Sequence, residues 1–260
     1  MRILVVNPNS TVSMTASIEQ AANSFASGGT TIIAKTSGDG PVSIEGYFDE
    51  AMSLSGLLRA IHESNDVDAV VIACFDDTGL DAARCLTDKP VIGIGEAAYR
   101  YASMVSNKFS VVTTLARSVP ALEHNLRRYG LFGHCVKVRS SDVAVLDLES
   151  NDPTACNKID AEIIKAIKDD RAEAIVLGCA GMASLAQSLT ERHGVPVLDG
   201  LSCAISLAES MVRLGLKTSR VGGYAPPPNA KLDCAFGPPA ASVLVNVGAD
   251  ATLIRCAETQ

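Results

Sequence analysis

The sequence lacks the long apolar runs and basic clusters that mark membrane proteins and nucleic-acid-binding proteins. No uncharged segment approaches the roughly 20 apolar residues of a membrane-spanning helix. The first apolar run, Ile3–Val6, is also too short for a signal peptide. Acidic residues outnumber basic residues by 29 to 22, which gives a net charge of -7 and no basic stripe for phosphates. We therefore expect a cytoplasmic protein that binds neither a membrane nor nucleic acid.

The eight cysteines lack the spacing of a metal site or a redox pair. The chain has no C-x-x-C and no Cys/His cluster at zinc spacing. A disulfide framework is typical of short exported chains, and this chain has 260 residues without a predicted export signal. We therefore expect reduced thiols that act as small core residues unless position gives them a function. We expect no metal and no cofactor.

The chain does contain an alternation of short apolar runs and longer helical segments. Hydrophobic residues make up 47% and charged residues 20%, as in soluble globular proteins with a sizeable core. Buried strands are predicted at Arg2–Val6, Thr31–Ala34, Ala69–Ile72, Pro90–Ile94, Phe109–Thr113, Ala174–Leu177 and Pro196–Leu198. Helical periodicity is found, for example, in Glu50–Glu63, Ile159–Lys168 and Cys203–Leu214. This alternation predicts an α/β fold with parallel sheets covered on both faces.

Three sequence landmarks recur at an offset of roughly 105 residues, which indicates a duplication. Asp68-Ala-Val-Val-Ile-Ala-Cys74 resembles Glu173-Ala-Ile-Val-Leu-Gly-Cys179. Lys89-Pro-Val-Ile-Gly93 is followed at that offset by Val195-Pro-Val-Leu-Asp199. Ile3-Leu-Val-Val-Asn-Pro-Asn9 aligns with Phe109-Ser-Val-Val-Thr-Thr-Leu115.

The duplication predicts two lobes of similar size. Residues 1–100, joined by about 201–222, form the N-terminal lobe, and residues 101–200 form the C-terminal lobe. Residues 223–260 form a tail of uncertain structure, with a poor pattern until Ser242–Val247. One proline triplet, Pro226-Pro-Pro228, and one pair, Pro238-Pro239, punctuate this tail, and we expect it to have little role in the chemistry.

Cys74 and Cys179 occupy matched positions at the carboxyl ends of two predicted strands. Ligands of parallel sheets bind at such ends. Turn residues and then a helix follow each cysteine, so nearby N–H groups and the helix dipole should favour the thiolate. If the halves face each other, the two thiols approach one cleft from opposite sides. That arrangement suits racemisation, because a thiolate removes a proton from one face of a carbon while a thiol returns one to the other.

Each of the eight cysteines can also be a plain structural residue, and a lone cysteine at a strand end is more often buried core than catalyst. The matched positions of Cys74 and Cys179 favour function for that pair. Cys85 and Cys203 lie in predicted helices among apolar neighbours. The remaining cysteines, Cys135, Cys156, Cys234 and Cys256, have no matched partner.

Several polar residues near the strand ends are further candidates. Ser10 or Thr11 either caps the first helix or binds a carbonyl or amide. Thr113 and Thr114 are their counterparts in the second half, with strand packing as the alternative. Asp76 and the adjacent Asp77 are either solvated turn residues or acids that raise the pKa of Cys74.

Two other patterns do not match a known binding or catalytic motif. Gly93-x-Gly95 lacks the third glycine of a dinucleotide-binding fingerprint. The four histidines fall in helical or loop contexts, where surface positions are expected: His62, His124, His134 and His193. A Cys–His hydrolase is therefore an alternative without a supporting motif.

Six segments together resemble the aspartate/glutamate/hydantoin racemase superfamily and, within it, the hydantoin and allantoin racemases. The resemblance covers about residues 1–228, and no one segment alone would carry it. The segments are Asn7-Pro-Asn-Ser-Thr11, Gly40-Pro-Val-Ser-Ile-Glu-Gly46, Ala73-Cys-Phe-Asp-Asp-Thr-Gly79, Val111-Val-Thr-Thr114, Gly178-Cys-Ala-Gly-Met182 and Gly222-Gly-Tyr-Ala-Pro-Pro227.

The resemblance implies two flavodoxin-like lobes, an active site in the cleft between them, and a two-base mechanism using Cys74 and Cys179. It also implies that Asn9, Ile44 and Thr113 line the substrate pocket, with backbone N–H groups around Phe75 and Gly181 holding ring carbonyls. A homo-oligomer is expected, as is usual in this family. The complete set of residues expected to bind substrate is Asn9, Ser10, Ile44, Phe75, Asp76, Thr113, Thr114, Ala180 and Gly181.

The residues beside the two cysteines predict the substrate. The amino-acid racemases of the superfamily carry Cys-Asn-Thr and Cys-Thr-His, whereas this chain reads Cys-Phe-Asp and Cys-Ala-Gly. A neutral hydantoin ring fits these neighbours better than a zwitterion does, and allantoin is the favoured physiological substrate, within purine catabolism. The alternatives are a related racemase, isomerase or decarboxylase acting on an open-chain acid, and a non-catalytic two-lobed binding protein. The decarboxylases of the superfamily typically keep one cysteine, which counts against that alternative.

Overall fold

Two four-stranded parallel sheets form the framework of the protein in a computed structural model that describes residues 1–150 and 153–237. The first sheet has the order β2-β1-β3-β4 and the second the order β6-β5-β7-β8. The strands are β1 (Arg2–Asn7), β2 (Thr31–Thr36), β3 (Ala69–Ile72), β4 (Val91–Gly93), β5 (Phe109–Thr113), β6 (Cys135–Ser140), β7 (Ala174–Gly178) and β8 (Val197–Asp199). The equal strand orders place the two halves of the duplication in equivalent sheets, which confirms the predicted α/β fold with two lobes.

Helices connect the strands, as parallel pairing requires. They are α1 (Val12–Phe25), α2 (Tyr47–His62), α3 (Leu80–Leu86), α4 (Ile94–Val105), α5 (Val119–Arg128), α6 (Pro153–Lys168), α7 (Ala186–His193), α8 (Gly200–Arg213) and α9 (Asn229–Phe236). Shorter 3₁₀ turns span Ala116–Ser118, Val145–Ser150, Ala180–Leu185 and Gly222–Tyr224. The predicted strands and helices agree with these bounds to within a few residues at most ends, and α6 starts six residues before its predicted Ile159.

The edge strand β6 was not among the predicted strands. Charged residues Lys137 and Arg139 interrupt its apolar sequence, and only Val138 among its residues is buried. The strand is held by parallel pairing with β5 rather than by a continuous apolar run. Half-exposed edge strands of this kind give a weaker sequence pattern than central strands do.

The central helices α4 and α8 pack against each other and against strands of both sheets. One core cluster accordingly contains Val5 and Ile92 of the first sheet together with Val111 and Val176 of the second. The two helices approach closely at the start of α8, where a Cβ added to Gly200 would lie 2.5 Å from the Ile94 carbonyl oxygen. The two lobes therefore share a continuous core, which holds the ends of their strands at fixed positions.

A buried carboxylate on α8 anchors the turn between α1 and β2. Glu209 accepts hydrogen bonds from the backbone N–H of Ser27 at 2.8 Å and from the hydroxyls of Ser27 and Thr30, each at 2.6 Å. The pKa of Glu209 is lowered: burial acts to raise it, and the bonds from Ser27 and Thr30 outweigh burial. The ionised carboxylate thus stabilises the packing of α8 on the first sheet.

The predicted tail divides at Pro227. Residues 1–226 form one unit, and a second unit begins at Pro227 and contains α9. The predicted Ser242–Val247 pattern and Cys256 lie outside the described residues. The exact bounds of the two lobes stay a prediction. No helix in the described ranges combines the length and apolar character needed to cross a membrane.

Candidate active site

A small cavity lies where the carboxyl ends of β1 and β3 meet those of β5 and β7. Cys74 lies two residues after β3, and Cys179 directly follows β7. Both thiols line this cavity, so the two halves of the duplication bring their matched cysteines to one site. The complete lining is Asn7, Pro8, Asn9, Met14, Ile44, Ala73, Cys74, Phe75, Asp76, Thr113, Thr114, Ser118, Val145, Gly178, Cys179 and Ala180.

The Cys74 thiol lies in the turn between β3 and α3. The hydroxyl of Thr78 donates a hydrogen bond to its sulfur at 3.4 Å. Burial raises the pKa of Cys74 well above its usual range, and the nearby charges of Asp76 and Cys179 raise it further. The hydroxyl of Thr78 and the backbone N–H of Asp76 act in the opposite direction without reversing the shift. Cys74 is therefore a neutral thiol at pH 7.

The Cys179 thiol lies between β7 and a 3₁₀ turn. Burial raises its pKa to about 11, while the backbone N–H of Gly181 lowers it. The charges of Asp76 and Glu45 add to the increase. Backbone N–H groups lower the pKa of both cysteines, as predicted, but burial outweighs them, so the net shift of each pKa is upward.

Asp76 brings a second acid, Glu50 of α2, to the edge of the cavity. Burial and the charge of Glu50 raise the pKa of Asp76 well above its usual range. Burial also raises the pKa of Glu50. The two carboxyl groups share a side-chain hydrogen bond, which lowers the pKa of Glu50 and raises that of Asp76. The prediction that these aspartates are solvated turn residues was therefore wrong. The alternative prediction, that Asp76 raises the pKa of Cys74, is confirmed in direction.

Asp77 fixes the turn that carries Cys74. Its carboxylate accepts hydrogen bonds from the backbone N–H groups of Gly95 at 2.9 Å and Glu96 at 2.7 Å, and from the hydroxyl of Tyr129 at 2.7 Å. Burial raises the pKa of Asp77 to about 7 although these three donors oppose the shift. A Cβ at Gly93 would lie 2.1 Å from Asp77 Oδ1. The Gly93-x-Gly95 pattern thus makes room for a carboxylate that caps α4.

Asn9 presents an amide to the cavity from the loop after β1. Asn7 Nδ2 donates to Asn9 Oδ1 at 2.8 Å, which fixes the orientation of the Asn9 side chain. Asn9 Nδ2 has a sulfur acceptor, Met14 Sδ at 3.4 Å, and sulfur is a weak acceptor. The Asn9 amide therefore retains donor capacity for a carbonyl oxygen of a ligand.

Thr113 and Thr114 close the opposite wall of the cavity. The Thr113 hydroxyl donates to the Gly178 carbonyl at 3.0 Å, so it links β5 to β7 and keeps its lone pairs for other donors. A Cβ on Gly178 would lie 2.8 Å from Thr113 Cβ, so this contact requires glycine. Thr113 therefore has both predicted roles, because it packs between the strands and also lines the pocket.

Nine of the predicted site residues line the cavity, namely Asn9, Ile44, Cys74, Phe75, Asp76, Thr113, Thr114, Cys179 and Ala180. Ser10 and Gly181 do not. The Ser10 hydroxyl donates to Pro41 O, and that of Thr11 donates to Val42 O at 2.7 Å. Neither forms a side-chain cap of α1, so the capping alternative was wrong. These hydroxyls instead hold the loop that carries Ile44.

Sequence reasoning missed Met14, Ser118, Val145 and Glu50 at the site. Met14 and Ser118 lie one helical turn beyond motifs that the sequence analysis had identified, and spacing alone could have suggested them. Val145 and Glu50 come from other segments and give no local signal.

Cys85, Cys135, Cys156, Cys203 and the four histidines are not among the residues that line this cavity. Cys203 is buried in the core, as predicted, and Cys85 is half-buried in α3. None of the four histidines lines the cavity, so the Cys–His alternative has no partner for either thiol. In residues 1–150 and 153–237, no group of three or more His, Cys, Asp or Glu side chains is arranged to hold a metal ion.

Comparison with known proteins identifies the family. The model of the Asp/Glu/Hydantoin racemase family matches residues 3–208 of this chain. The chain belongs to the Asp/Glu/Hydantoin racemase family. It is accordingly an enzyme, a racemase and hence an isomerase, and the resemblance inferred from the six segments is confirmed.

Individual relatives agree over most of the chain. The hydantoin racemase of Rhizobium meliloti is 48% identical over 229 residues, which cover 87% of this chain and 95% of that protein. An allantoin racemase structure from Klebsiella pneumoniae superposes with a TM-score of 0.85 at 47% identity and covers 87% of this chain and 94% of its own. An allantoin racemase structure from Pseudomonas fluorescens has a TM-score of 0.84 at 42% identity, with coverages of 87% and 97%.

Proposed function

We propose that this enzyme racemises 5-substituted hydantoins, including allantoin, without a cofactor, using Cys74 and Cys179 as an acid–base pair. The observation that carries the proposal is that two matched thiols line one cavity from the strand ends of the two sheets. Inversion at carbon needs a proton acceptor on one face and a donor on the other. The names of the relatives supply the substrate class.

The charges of the cavity favour a neutral ring over a free amino acid. No lysine or arginine is among the lining residues, all of which belong to the described part of the chain, so nothing there would pair with an α-carboxylate. Burial and the charge of Glu50 raise the pKa of Asp76, the one acidic residue in the lining, well above its usual range, which disfavours a negative charge in the cavity. The polar groups that remain are the Asn9 amide, the threonine hydroxyls and backbone N–H groups, all suited to ring carbonyls and ring N–H groups.

In the proposed reaction, the thiolate of one cysteine removes the proton from C5 of the ring. The electron pair of the C–H bond moves to the C4 carbonyl, whose oxygen becomes an enolate stabilised by hydrogen-bond donors of the site. The thiol of the other cysteine then donates its proton to the opposite face of C5. The product is the other enantiomer, and the charge has moved from one sulfur to the other.

Removal of the C5 proton by Cys179 and donation by Cys74 convert one enantiomer. The reverse sequence converts the other enantiomer through the same enolate.

Incubating one pure enantiomer of allantoin or of 5-isobutylhydantoin tests the proposal. The circular dichroism of the substrate should decay to zero with wild-type enzyme at a rate proportional to enzyme concentration. The Cys74→Ala and Cys179→Ala variants should give the rate of the solution without enzyme. A stable signal with both substrates would overturn the proposal. Wild-type and variant proteins that all give the rate of the solution without enzyme would favour a non-catalytic binding protein.

The alternative of an open-chain acid substrate has no comparable support, because a carboxylate would meet no cationic side chain in the cavity. A cytoplasmic location, a role in purine catabolism and a homo-oligomeric state stay predictions.

A further inference from the structure

A groove of about 390 Å³ adjoins the catalytic cavity, which itself measures about 30 Å³. One wall of the groove is the face of α1 that carries Ser17, Ala21 and Ser24. The other wall is formed by the 3₁₀ turns at Val145–Ser150 and Ala180–Leu185. Apart from Ala180 and Gly181, which belong to the motif around Cys179, no predicted site residue lines this groove.

The groove and the catalytic cavity share part of their lining. Met14, Val145 and Ala180 contribute to both. All three are wholly or half-buried, so they form the boundary between the two spaces rather than an outer rim. A ligand atom in the cavity can therefore carry a substituent that continues into the groove.

The groove begins beside the Cys179 thiol. Ala180 and Gly181, the two residues after Cys179, line the groove. A Cβ added to Gly181 would lie 3.8 Å from Cys179 Sγ and 3.1 Å from Leu148 Cδ1. The groove wall therefore starts within one side-chain length of the sulfur. A group attached to the carbon that Cys179 deprotonates would meet the groove directly.

The lining chemistry favours an uncharged and largely apolar occupant. None of the described residues that line the groove carries a charge. Ile18, Val145 and Ala183 are buried and Leu148 is half-buried, which gives the floor an apolar surface. Hydroxyl and amide groups of exposed residues, such as Ser17 and Gln20, lie toward the rim. A charged substituent would lose its hydration here without gaining an ionic partner.

We propose that this groove is the subsite for the C5 substituent and that it selects hydantoins with extended, uncharged substituents. This inference rests on the proposed function and adds the substrate preference. Each buried methylene group is worth about a fourfold gain in binding. Replacing a C5 methyl group by isobutyl should therefore raise kcat/KM on the order of tenfold to a hundredfold.

The matched pair Ser17→Trp and Glu19→Trp tests the subsite. Ser17 is exposed on the groove side of α1, so an indole there narrows the groove without entering the core. Glu19 is exposed on the same helix and does not line the groove. Both variants receive the same side chain on the same helix, so only the groove distinguishes them.

The assay compares kcat/KM for 5-methylhydantoin, 5-isobutylhydantoin and the charged 5-carboxymethylhydantoin. Wild-type enzyme should prefer the isobutyl substrate to both others. Ser17→Trp should lower kcat/KM for the isobutyl substrate at least about tenfold more than for the methyl substrate, and an unchanged far-ultraviolet circular dichroism spectrum reports correct folding. Glu19→Trp should match wild type on all three substrates.

Different failures identify different errors. Equal effects of Ser17→Trp on the methyl and isobutyl substrates, or no effect on either, would overturn the subsite while leaving the racemase intact. A wild-type preference for the carboxymethyl substrate would overturn it as well. No turnover of any hydantoin by wild-type enzyme would instead refute the proposed function.

Discussion

Replacing Gly93 by alanine should break the contact that holds the Cys74 turn against α4. The backbone at Gly93 has φ of -86° and ψ of 140°, which alanine adopts without strain. The added Cβ, however, would lie 2.1 Å from Asp77 Oδ1 and 2.5 Å from its Cγ. The carboxylate cannot stay in place, so the substitution isolates a steric effect on one hydrogen-bonded group.

The expected cost follows from the bonds that Asp77 makes. Displacing its carboxylate removes the hydrogen bonds from Gly95 N–H, Glu96 N–H and the Tyr129 hydroxyl. At about 0.5–1.5 kcal/mol for each net hydrogen bond, the loss is about 2–4 kcal/mol. That is a large part of the 5–15 kcal/mol that is typical of a folded domain. Activity should fall as well, because Asp77 directly follows the Asp76 that lines the cavity.

Urea unfolding followed by far-ultraviolet circular dichroism measures this cost, since the chain has no tryptophan for fluorescence. Protein concentration is held constant in case unfolding is coupled to dissociation. Gly133→Ala is the control, because a Cβ there meets nothing within 4 Å and should change stability by less than about 0.5 kcal/mol. In an Asp77→Ala background, Gly93→Ala should cost little, because the obstructing carboxylate is gone. A loss below about 1 kcal/mol in the wild-type background, or simple additivity in the double variant, would refute the reasoning.

Two further predictions follow from the pKa shifts. Because the pKa of Cys179 is raised to about 11, roughly one thiol in ten thousand is ionised at pH 7. The rate of enzyme-dependent racemisation at low substrate concentration should therefore rise about tenfold per pH unit between pH 7 and 9. A rate that does not change with pH would contradict this prediction. The pKa of Glu209 is lowered in the folded protein, because the hydrogen bonds from Ser27 and Thr30 outweigh the opposing effect of burial. The ionised carboxylate therefore stabilises the fold at any pH above the ordinary carboxyl pKa. This stabilisation is lost as the pH falls through the lower pKa that Glu209 has in the folded protein. Glu209→Gln should therefore be less stable than wild type by about 2 kcal/mol at pH 7, and the gap measured by thermal unfolding should narrow below pH 4; a gap that is constant with pH would exclude a role for the charge.

The sequence predicted the sheets and the cysteine pair because both depend on local patterns. Central strands such as β1 and β7 are continuous apolar runs, since both faces of a parallel sheet are covered. The duplication placed Cys74 and Cys179 at equivalent strand ends, and symmetry between the halves brought them to one cavity.

Other features depend on contacts that a linear pattern does not contain. Glycine is needed at positions 93 and 95 because the Asp77 carboxylate packs directly against both, and this contact is not visible in the sequence. Glu50 lies 26 residues before Asp76 in the sequence, and only the packing of α2 brings its charge to Asp76. The raised pKa of both thiols follows from burial, whereas the neighbouring N–H groups that sequence analysis could anticipate act in the opposite direction.

Deuterium exchange at C5 with Cys74→Ser and Cys179→Ser tests the two-base mechanism most directly. Each pure enantiomer of 5-isobutylhydantoin is incubated in heavy water with each variant, and exchange and optical activity are followed together. We expect that neither variant racemises its substrate and that each exchanges the C5 proton of one enantiomer only, because one base remains on one face. Full racemisation by either variant would contradict the paired roles of Cys74 and Cys179.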